Sequence, residues 1–325
     1  MPPFRTLRPS IAALVLCAVS AAAGAQSWPA RQIRAISPFS AGAATEIIAR
    51  IVLDEVSRQI GQSFVIESRP GAGGSVGAAI AARAAPDGYT LLLNSASLSS
   101  QVVLHKSLPY EPVRDFAPVV LLGIQPSVLV AAPTRGWKSV ADLVAAAREK
   151  PGDLTYASAG LGSASHMAAE RFRLAAGFEA RHIPFRGPVE AFTEVISGRL
   201  DFYYLPLAPA LPNIKASKVV ALAVSTPARA ALLPDVPTVV EAGYPGAQYL
   251  FWGGLAFPAG TPRAIIGKLH DETRRTLSLP AVQERLATLG VQTMPMTVSE
   301  FTRFVRDDVA STVKLAKDVN LVAKE

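Results

Sequence analysis

The chain has 325 residues, half of them hydrophobic and 18% charged, which excludes a disordered protein, because disorder needs low hydrophobicity with high net charge. The net charge is +7, but 32 Lys and Arg are interspersed with 25 Asp and Glu, and no basic block of the kind a nucleic-acid binder carries is present. This length accommodates two domains of ordinary size.

The chain opens with the layout of a secretory signal over residues 1–25. Arg5 and Arg8 form its positive start, Ile11 to Ala23 its apolar stretch, and Ala23-Gly24-Ala25 a small-x-small cleavage site. The apolar stretch is shorter than the ~20 residues that span a bilayer. Cys17 follows Leu16, which is bulkier than the small residue expected before a lipidated cysteine, so cleavage after Ala25 is the preferred reading. Cleavage removes two Arg and no acid, leaving 300 residues with a net charge of about +5 and no cysteine. Disulfides, a thiol nucleophile, Cys-ligated zinc and iron–sulfur clusters are thereby excluded. No later run reaches ~18 consecutive apolar residues, and the expected location is the periplasm or the outside of the cell.

Short apolar runs then alternate with helical periodicity, the signature of α/β layering. Strands are predicted at Gln32–Phe39, Gln62–Ser68, Thr90–Ser95, Ser127–Ala132, Leu154–Ser158, Arg181–Phe185, Leu200–Leu205 and Val219–Ser225. Ile47, Ile48, Ile51, Val52, Val56 and Ile60 recur at helical spacing and stop at Gly61. Ser139-x-x-Asp142 starts a helix that Pro151-Gly152 ends, and Val189, Phe192, Val195 and Ile196 form another, closed by Gly198. Thr261-Pro262 and Thr297-x-x-Glu300 begin the last two.

Two stretches roughly one domain length apart read alike. Ile33–Ile51 runs from strand through Ser-Pro-Phe-Ser-Ala-Gly-Ala-Ala into a helix, and Thr155–Ala175 runs from strand through Ser-Ala-Gly-Leu-Gly-Ser-Ala-Ser into a helix. Open α/β sheets bind ligands where strands feed such loops. The first N–H groups of a helix lack intrahelical acceptors and carry partial positive charge, so a carboxylate or phosphate is stabilised there without Lys or Arg. Small residues such as Ser40, Ala41, Gly42 and Ala43, or Gly160, Gly162, Ser163 and Ala164, let an anion reach the backbone, and Thr45 and Ser165 add hydroxyls. Tight turns with ordinary caps are the alternative. Micromolar binding needs about 8 kcal/mol; four charge-assisted hydrogen bonds at roughly 1.5–3 kcal/mol each reach that range after ordering costs.

Other motifs carry less. Gly73-Gly74-Ser75-Val76-Gly77 has nucleophile-elbow spacing, but Pro70-Gly71 already breaks the chain after the strand, so a glycine-rich turn is expected. Gly160-x-Gly162-x-x-Ser165 lacks the third glycine of a dinucleotide fingerprint, and Glu179 precedes the next strand instead of ending it. His105, His166, His182 and His270 have no metal-site spacing. His166, in the first turn of the second loop's helix, either donates to a ligand or packs. Arg186, before Gly187-Pro188, is either an exposed arginine or a ligand or lobe contact, and Trp252 is read as core or hinge packing.

Many short motifs resemble, in order, those of the Bug solute receptors, the extracytoplasmic receptors of tripartite tricarboxylate transporters. They include Pro38-Phe39-Ser40-Ala41-Gly42, Arg69-Pro70-Gly71-Ala72-Gly73-Gly74, Pro86-Asp87-Gly88-Tyr89-Thr90, Leu108-Pro109-Tyr110-Glu111-Pro112 and Asp115-Phe116-Ala117-Pro118-Val119. Ser158-Ala159-Gly160-Leu161-Gly162-Ser163, Leu233-Pro234-Asp235-Val236-Pro237-Thr238, Glu241-Ala242-Gly243, Trp252-Gly253-Gly254-Leu255 and Pro258-Ala259-Gly260-Thr261-Pro262 continue the series. The resemblance implies an α/β, two-lobed periplasmic binding protein-like fold of the second type, with its ligand in the interlobe cleft. Lobe 1 would combine residues 26–127 with 251–325, and lobe 2 would span 128–250. It implies a monomeric, non-enzymatic receptor without cofactor or metal that hands a small carboxylate to a membrane permease. The ligand-binding set is then Phe39, Ser40, Ala41, Gly42, Ala43 and Thr45; Ser95 and Ser97; Gly160, Gly162, Ser163, Ala164 and His166; and Arg186 with Gly187.

Three departures from the family stand out. Ala43 replaces a usual glycine, Glu46 an aspartate, and Leu205 an aspartate common after Asp201-Phe202-Tyr203-Tyr204. If position 205 reaches the cleft, losing that acid favours a carboxylate without an amino group. The rival readings are a secreted α/β hydrolase using Ser75 or Ser163 with a histidine, and a loaded receptor that signals to a sensor kinase.

Overall fold

The computed structural model describes residues 28–104 and 107–318; the signal segment and His105 lie outside them. Two five-stranded sheets organise the chain. In the first, β1 (Ile33–Ser37) lies parallel to and between β2 (Phe64–Ser68) and β3 (Thr90–Ser95). β10 (Phe251–Pro258) then runs antiparallel between β3 and β4 (Phe116–Gln125). In the second sheet, β6 (Thr155–Ser158) lies parallel to and between β7 (Arg181–Pro184) and β8 (Phe202–Pro206), and β5 (Ser127–Ala131) runs antiparallel between β8 and β9 (Val220–Val224). The orders β2-β1-β3-β10-β4 and β7-β6-β8-β5-β9 therefore repeat one plan. In each sheet, the antiparallel strand belongs to the segment that has just crossed from the other sheet.

Two of these strands, β4 and β10, are absent from the sequence-based expectation. β4 contains Pro118 and Gly123, and β10 contains Gly253, Gly254 and Pro258, residues that argue against a strand when read locally. Packing explains the glycines. A Cβ on Gly254 would stand 2.5 Å from the Phe301 ring, and one on Gly123 would stand 2.5 Å from Val291. Register shifts at Gly253/Gly254 and Leu255/Ala256 mark where β10 bends.

Helices cover the sheets. On the first sheet lie α1 (Ala44–Ile60), α2 (Ser75–Ala82), α3 (Ala96–Leu104), α8 (Arg263–Leu277), α9 (Pro280–Ala287) and α10 (Val298–Asp318); on the second lie α4 (Val140–Glu149), α5 (Ala164–Ala176), α6 (Pro188–Ile196) and α7 (Leu207–Lys215). Their ends follow local chemistry. Gly61 closes α1 in the left-handed region, and Ser139 with Asp142 forms a reciprocal capping box at α4. Thr297 and Glu300 do the same for α10, with Thr297 N donating to Glu300 Oε2 at 2.8 Å and Glu300 N to Thr297 Oγ1 at 3.2 Å.

The chain passes between sheets at Gln125-Pro126-Ser127 and returns before Phe251. One buried serine joins the two crossings: Ser225 Oγ is 2.5 Å from Ser127 Oγ and donates to Tyr249 O at 2.6 Å. Leu205 is fully buried in the core of the second sheet's lobe, among Val128, Tyr203 and Leu207.

Candidate functional site

Two strands end in small-residue loops that face each other, and a cleft lies between them. The first loop supplies Phe39, Ala43, Ala44 and Thr45, and the second supplies Ala159, Ser163, Ala164 and Ser165. Ser95 and Ser97 line it after β3, and Ile48, Pro188, Pro206, Pro209, Phe251 and Trp252 give it an apolar body. Among the described residues no charged side chain lines it. A mostly apolar cleft with a few convergent polar groups is the usual form of a small-molecule site.

The helix start at α1 is open. Its cap, Ala43, offers no side-chain acceptor, and among the described residues none accepts a hydrogen bond from the N–H of Ala44, Thr45 or Glu46. Glu46 turns away from the cleft, where it accepts from Arg50 Nη2 at 2.8 Å and from Ser68 Oγ at 3.3 Å, so its charge is paired. The start of α5 is occupied by the protein itself. His166 N donates to the capping Ser163 Oγ (3.3 Å), Gly162 N to His166 Nδ1 (3.1 Å) and Ala164 N to Ser97 Oγ of the other lobe (3.0 Å).

Sequence reasoning missed part of the site. Gln125, 3% exposed at the end of β4, points an Nε2 without any partner into the cleft wall, and the fully buried Tyr203 brings its hydroxyl beside Ser165 without a well-formed hydrogen bond. Buried polar groups are nearly always satisfied, so two unsatisfied ones at one cavity point to a ligand. Trp252 does line the cleft while its ring packs edge-on against Phe301 and Phe304 in the core. These three residues lie on strands, and their convergence depends on how the two sheets face each other.

Other residues singled out from the sequence lie around the cleft, not on it. Ser40 and Gly187 meet across the lobes, where a Cβ on Gly187 would stand 1.9 Å from Ser40 Oγ. Ala41 and Gly42 are exposed, with Gly42 against Val189. Gly160 abuts Gly73, and Gln101 Nε2 on α3 donates to both Gly73 O (3.2 Å) and Leu161 O (3.4 Å), so lobe contact continues along this edge. Arg186 is exposed on a shallow groove beside that edge, with Gly73, Gly160 and Glu190. His166 is buried, its Nδ1 already engaged by Gly162, and its ring stacks on His182 and does not line the cleft, which favours packing over ligand donation. Leu205 and Glu46 do not line the cleft.

The hydrolase reading fails on geometry. Ser75 begins α2 after left-handed Gly73 and Gly74 instead of ending a strand, and among the described residues no histidine bonds its hydroxyl. Ser163 Oγ is bonded to Ser165 Oγ at 2.9 Å and to the His166 backbone, not to an imidazole.

Two α/β lobes of one plan, joined by two crossings and closing on an uncharged cleft lined by helix starts, define a periplasmic binding protein. Residues 48–321 match the family described as tripartite tricarboxylate transporter family receptor. The chain belongs to that family, whose members are solute receptors and not enzymes. It is 33% identical to protein BugT of Bordetella pertussis over 293 residues, 90% of each chain. Among solved structures, Rpa4515 of R. palustris with adipate is 30% identical with a TM-score of 0.87, covering 91% of this chain and 99% of that one. MatC of Rhodopseudomonas palustris with bound malate is 30% identical with a TM-score of 0.85, covering 89% and 99%.

Proposed function

We propose that this receptor captures a small organic carboxylate without an amino group and delivers it to the membrane permease of a tripartite transporter. The observation that carries this reading is the set of unfilled hydrogen-bond donors at one cavity: three N–H groups at the start of α1 with Gln125 Nε2 and Tyr203 Oη, and no charged side chain beside them. The open helix start receives the carboxylate. The absence of an acid among the described lining residues leaves an ammonium group unpaired, which disfavours amino acids. Leu205 takes no part in this selectivity, since it is core. Phe39, Phe251, Trp252 and the prolines suit a ligand with an apolar body, and the adipate and malate of the two relatives are acids without an amino group.

In the same reading, residues 26–127 with 251–325 form lobe 1 and residues 128–250 lobe 2, the protein acts as a monomer, and the 1–25 segment exports it to the periplasm and is cleaved. A ligand touching both lobes favours the closed state by population shift. Thermal unfolding against a carboxylate panel that includes adipate and malate tests the proposal, using protein unfolded and refolded to strip any bound metabolite. A binder present at 100 times its Kd stabilises the fold by about 2.7 kcal/mol. A panel of acids that leaves the refolded protein unmoved refutes it.

A further inference from the structure

Behind the second cleft loop, three rings stand in a stack: Tyr156 on β6, His182 on β7 and His166 on α5. The Tyr156 and His182 centroids are 5.0 Å apart and those of His182 and His166 4.0 Å, with each pair of planes within 18°. Neither imidazole lines the cleft, yet both hold its wall. His166 Nδ1 accepts from Gly162 N at 3.1 Å, so its ring proton sits on Nε2. His182 Nε2 lies 2.6 Å from Ser158 Oγ, which itself accepts from Gly160 N at 3.1 Å and reaches Gly160 O at 3.1 Å. The residues between Ser158 and Ser163 are thus fixed from behind at Gly160 and at Gly162.

We propose that His166 and His182 are positioning residues of the receptor: through Gly162 N–H and Ser158 Oγ they hold the 158–163 loop in the shape that closes on a ligand, and a proton added to His166 Nδ1 releases it. The ligand-related half of this inference rests on the carboxylate-receptor reading. A proton on His166 Nδ1 turns the acceptor of Gly162 N–H into a donor aimed at a donor. Two charged imidazoles at this separation also repel in a site with little water to screen them. Burial holds His166 down to about 4, and burial together with the neighbouring His166 holds His182 down to about 3. The charged groups facing the stack are on α5. Glu170, which accepts from Tyr156 Oη at 2.5 Å and from Arg173 Nη2 at 2.9 Å, favours a proton on His166, and Arg173 opposes it.

The unfolded chain takes up these protons near pH 6.5 and the folded one does not, so the stability the pair contributes is complete above pH 6.5 and falls as the pH drops towards 4. In the test, 15N-labelled protein is titrated from about pH 8 to about pH 3 while long-range spectra follow the ring nitrogens and amide spectra follow Gly160 to Ser163. Wild-type protein should show a neutral His166 protonated at Nε2, with the Gly162 amide moving only when that ring titrates. His166→Ala should shift the loop amides at pH 7.5. His166→Asn, which keeps an acceptor in the Nδ1 place, should leave them near wild type and abolish the acid-induced movement. With adipate and malate as probes, whichever binds wild type should bind His166→Ala roughly tenfold more weakly, and His166→Asn within about threefold. Should His166→Ala fail to fold, the wild-type titration and the Asn variant still decide. Loop amides indifferent to His166→Ala overturn the proposal, as does unchanged acid binding by that variant. Loop amides that respond as expected in a protein that binds neither acid support the positioning and tell against the carboxylate reading instead.

Discussion

At the start of α1, Ala43 caps nothing and three consecutive N–H groups have no acceptor among the described residues; at the start of α5, Ser163 caps His166 N, His166 takes Gly162 N–H, and Ser97 reaches across to take Ala164 N–H. The two loops follow the same strand-loop-helix plan and look interchangeable as text. Their electrostatics differ. Open donors at a helix start attract an anion, whereas donors already spent on protein acceptors give a rigid surface that needs no ligand to hold its shape. In the proposed function, lobe 1 supplies the grip and lobe 2 a preformed wall that shuts against it.

The largest effect should come from preventing that closure. Gly73, at φ +64°, sits where the lobes touch, and a Cβ there would lie 2.0 Å from Leu161 O. Backbone opposes backbone, so neither side yields. Gly73→Ala should weaken carboxylate binding about 100-fold, the loss expected when the closed state falls to roughly one molecule in a hundred. Calorimetry reads the affinity, and small-angle scattering should show a ligand-soaked variant that stays expanded. Gly136→Ala, at φ +70° with nothing near its would-be Cβ, carries the backbone strain without the contact and serves as the control. Binding by Gly73→Ala within threefold of that control would break the picture of a wall that must shut.

A second substitution tests the floor of the cleft. Tyr203→Phe removes a buried hydroxyl that the free protein leaves without a well-formed bond. The expected signs are opposite: thermal stability without ligand holds or rises, while affinity falls roughly tenfold, in line with one lost ligand hydrogen bond of about 1.4 kcal/mol. A parallel fall in both would mark Tyr203 as a packing residue only.

What could be read from the sequence was whatever is decided locally. The capping boxes at Ser139 and Thr297 and the left-handed stop at Gly61 involve neighbours a few positions apart, and each takes the form its residues dictate. The loops after β1 and β6 could be located for the same reason, which is why Phe39, Ala43, Thr45, Ser163 and Ala164 line the cleft. β4 and β10 were hidden because their glycines answer to Val291 and Phe301, residues distant in the chain. Gln125 and Tyr203 resemble ordinary strand residues until the two sheets face each other. For His166 the sequence left donation and packing open, because helical position places it beside the 158–163 loop but does not say that a second imidazole, His182, stacks on it.

The smallest expected effect bears most directly on the difference between the two helix starts. Ala43 already has the extended backbone of a capping residue, φ −61° and ψ 144°, and lacks only an acceptor. Ala43→Ser should supply one, satisfying an N–H of Thr45 or Glu46 and stabilising the free protein by about 1 kcal/mol, a rise of roughly 2 °C in Tm for a chain this long. The same bond competes with the ligand for that donor and sets a hydroxyl oxygen against its carboxylate, so affinity should drop about fivefold. Ser163→Ala is the mirror experiment: it should cost about 1 kcal/mol of stability and change affinity much less, because the cap it removes serves the wall and not the grip. If Ala43→Ser stabilises the fold and binds as well as wild type, the anion does not sit on the start of α1. If Ser163→Ala costs more affinity than Ala43→Ser does, the roles of the two lobes are exchanged.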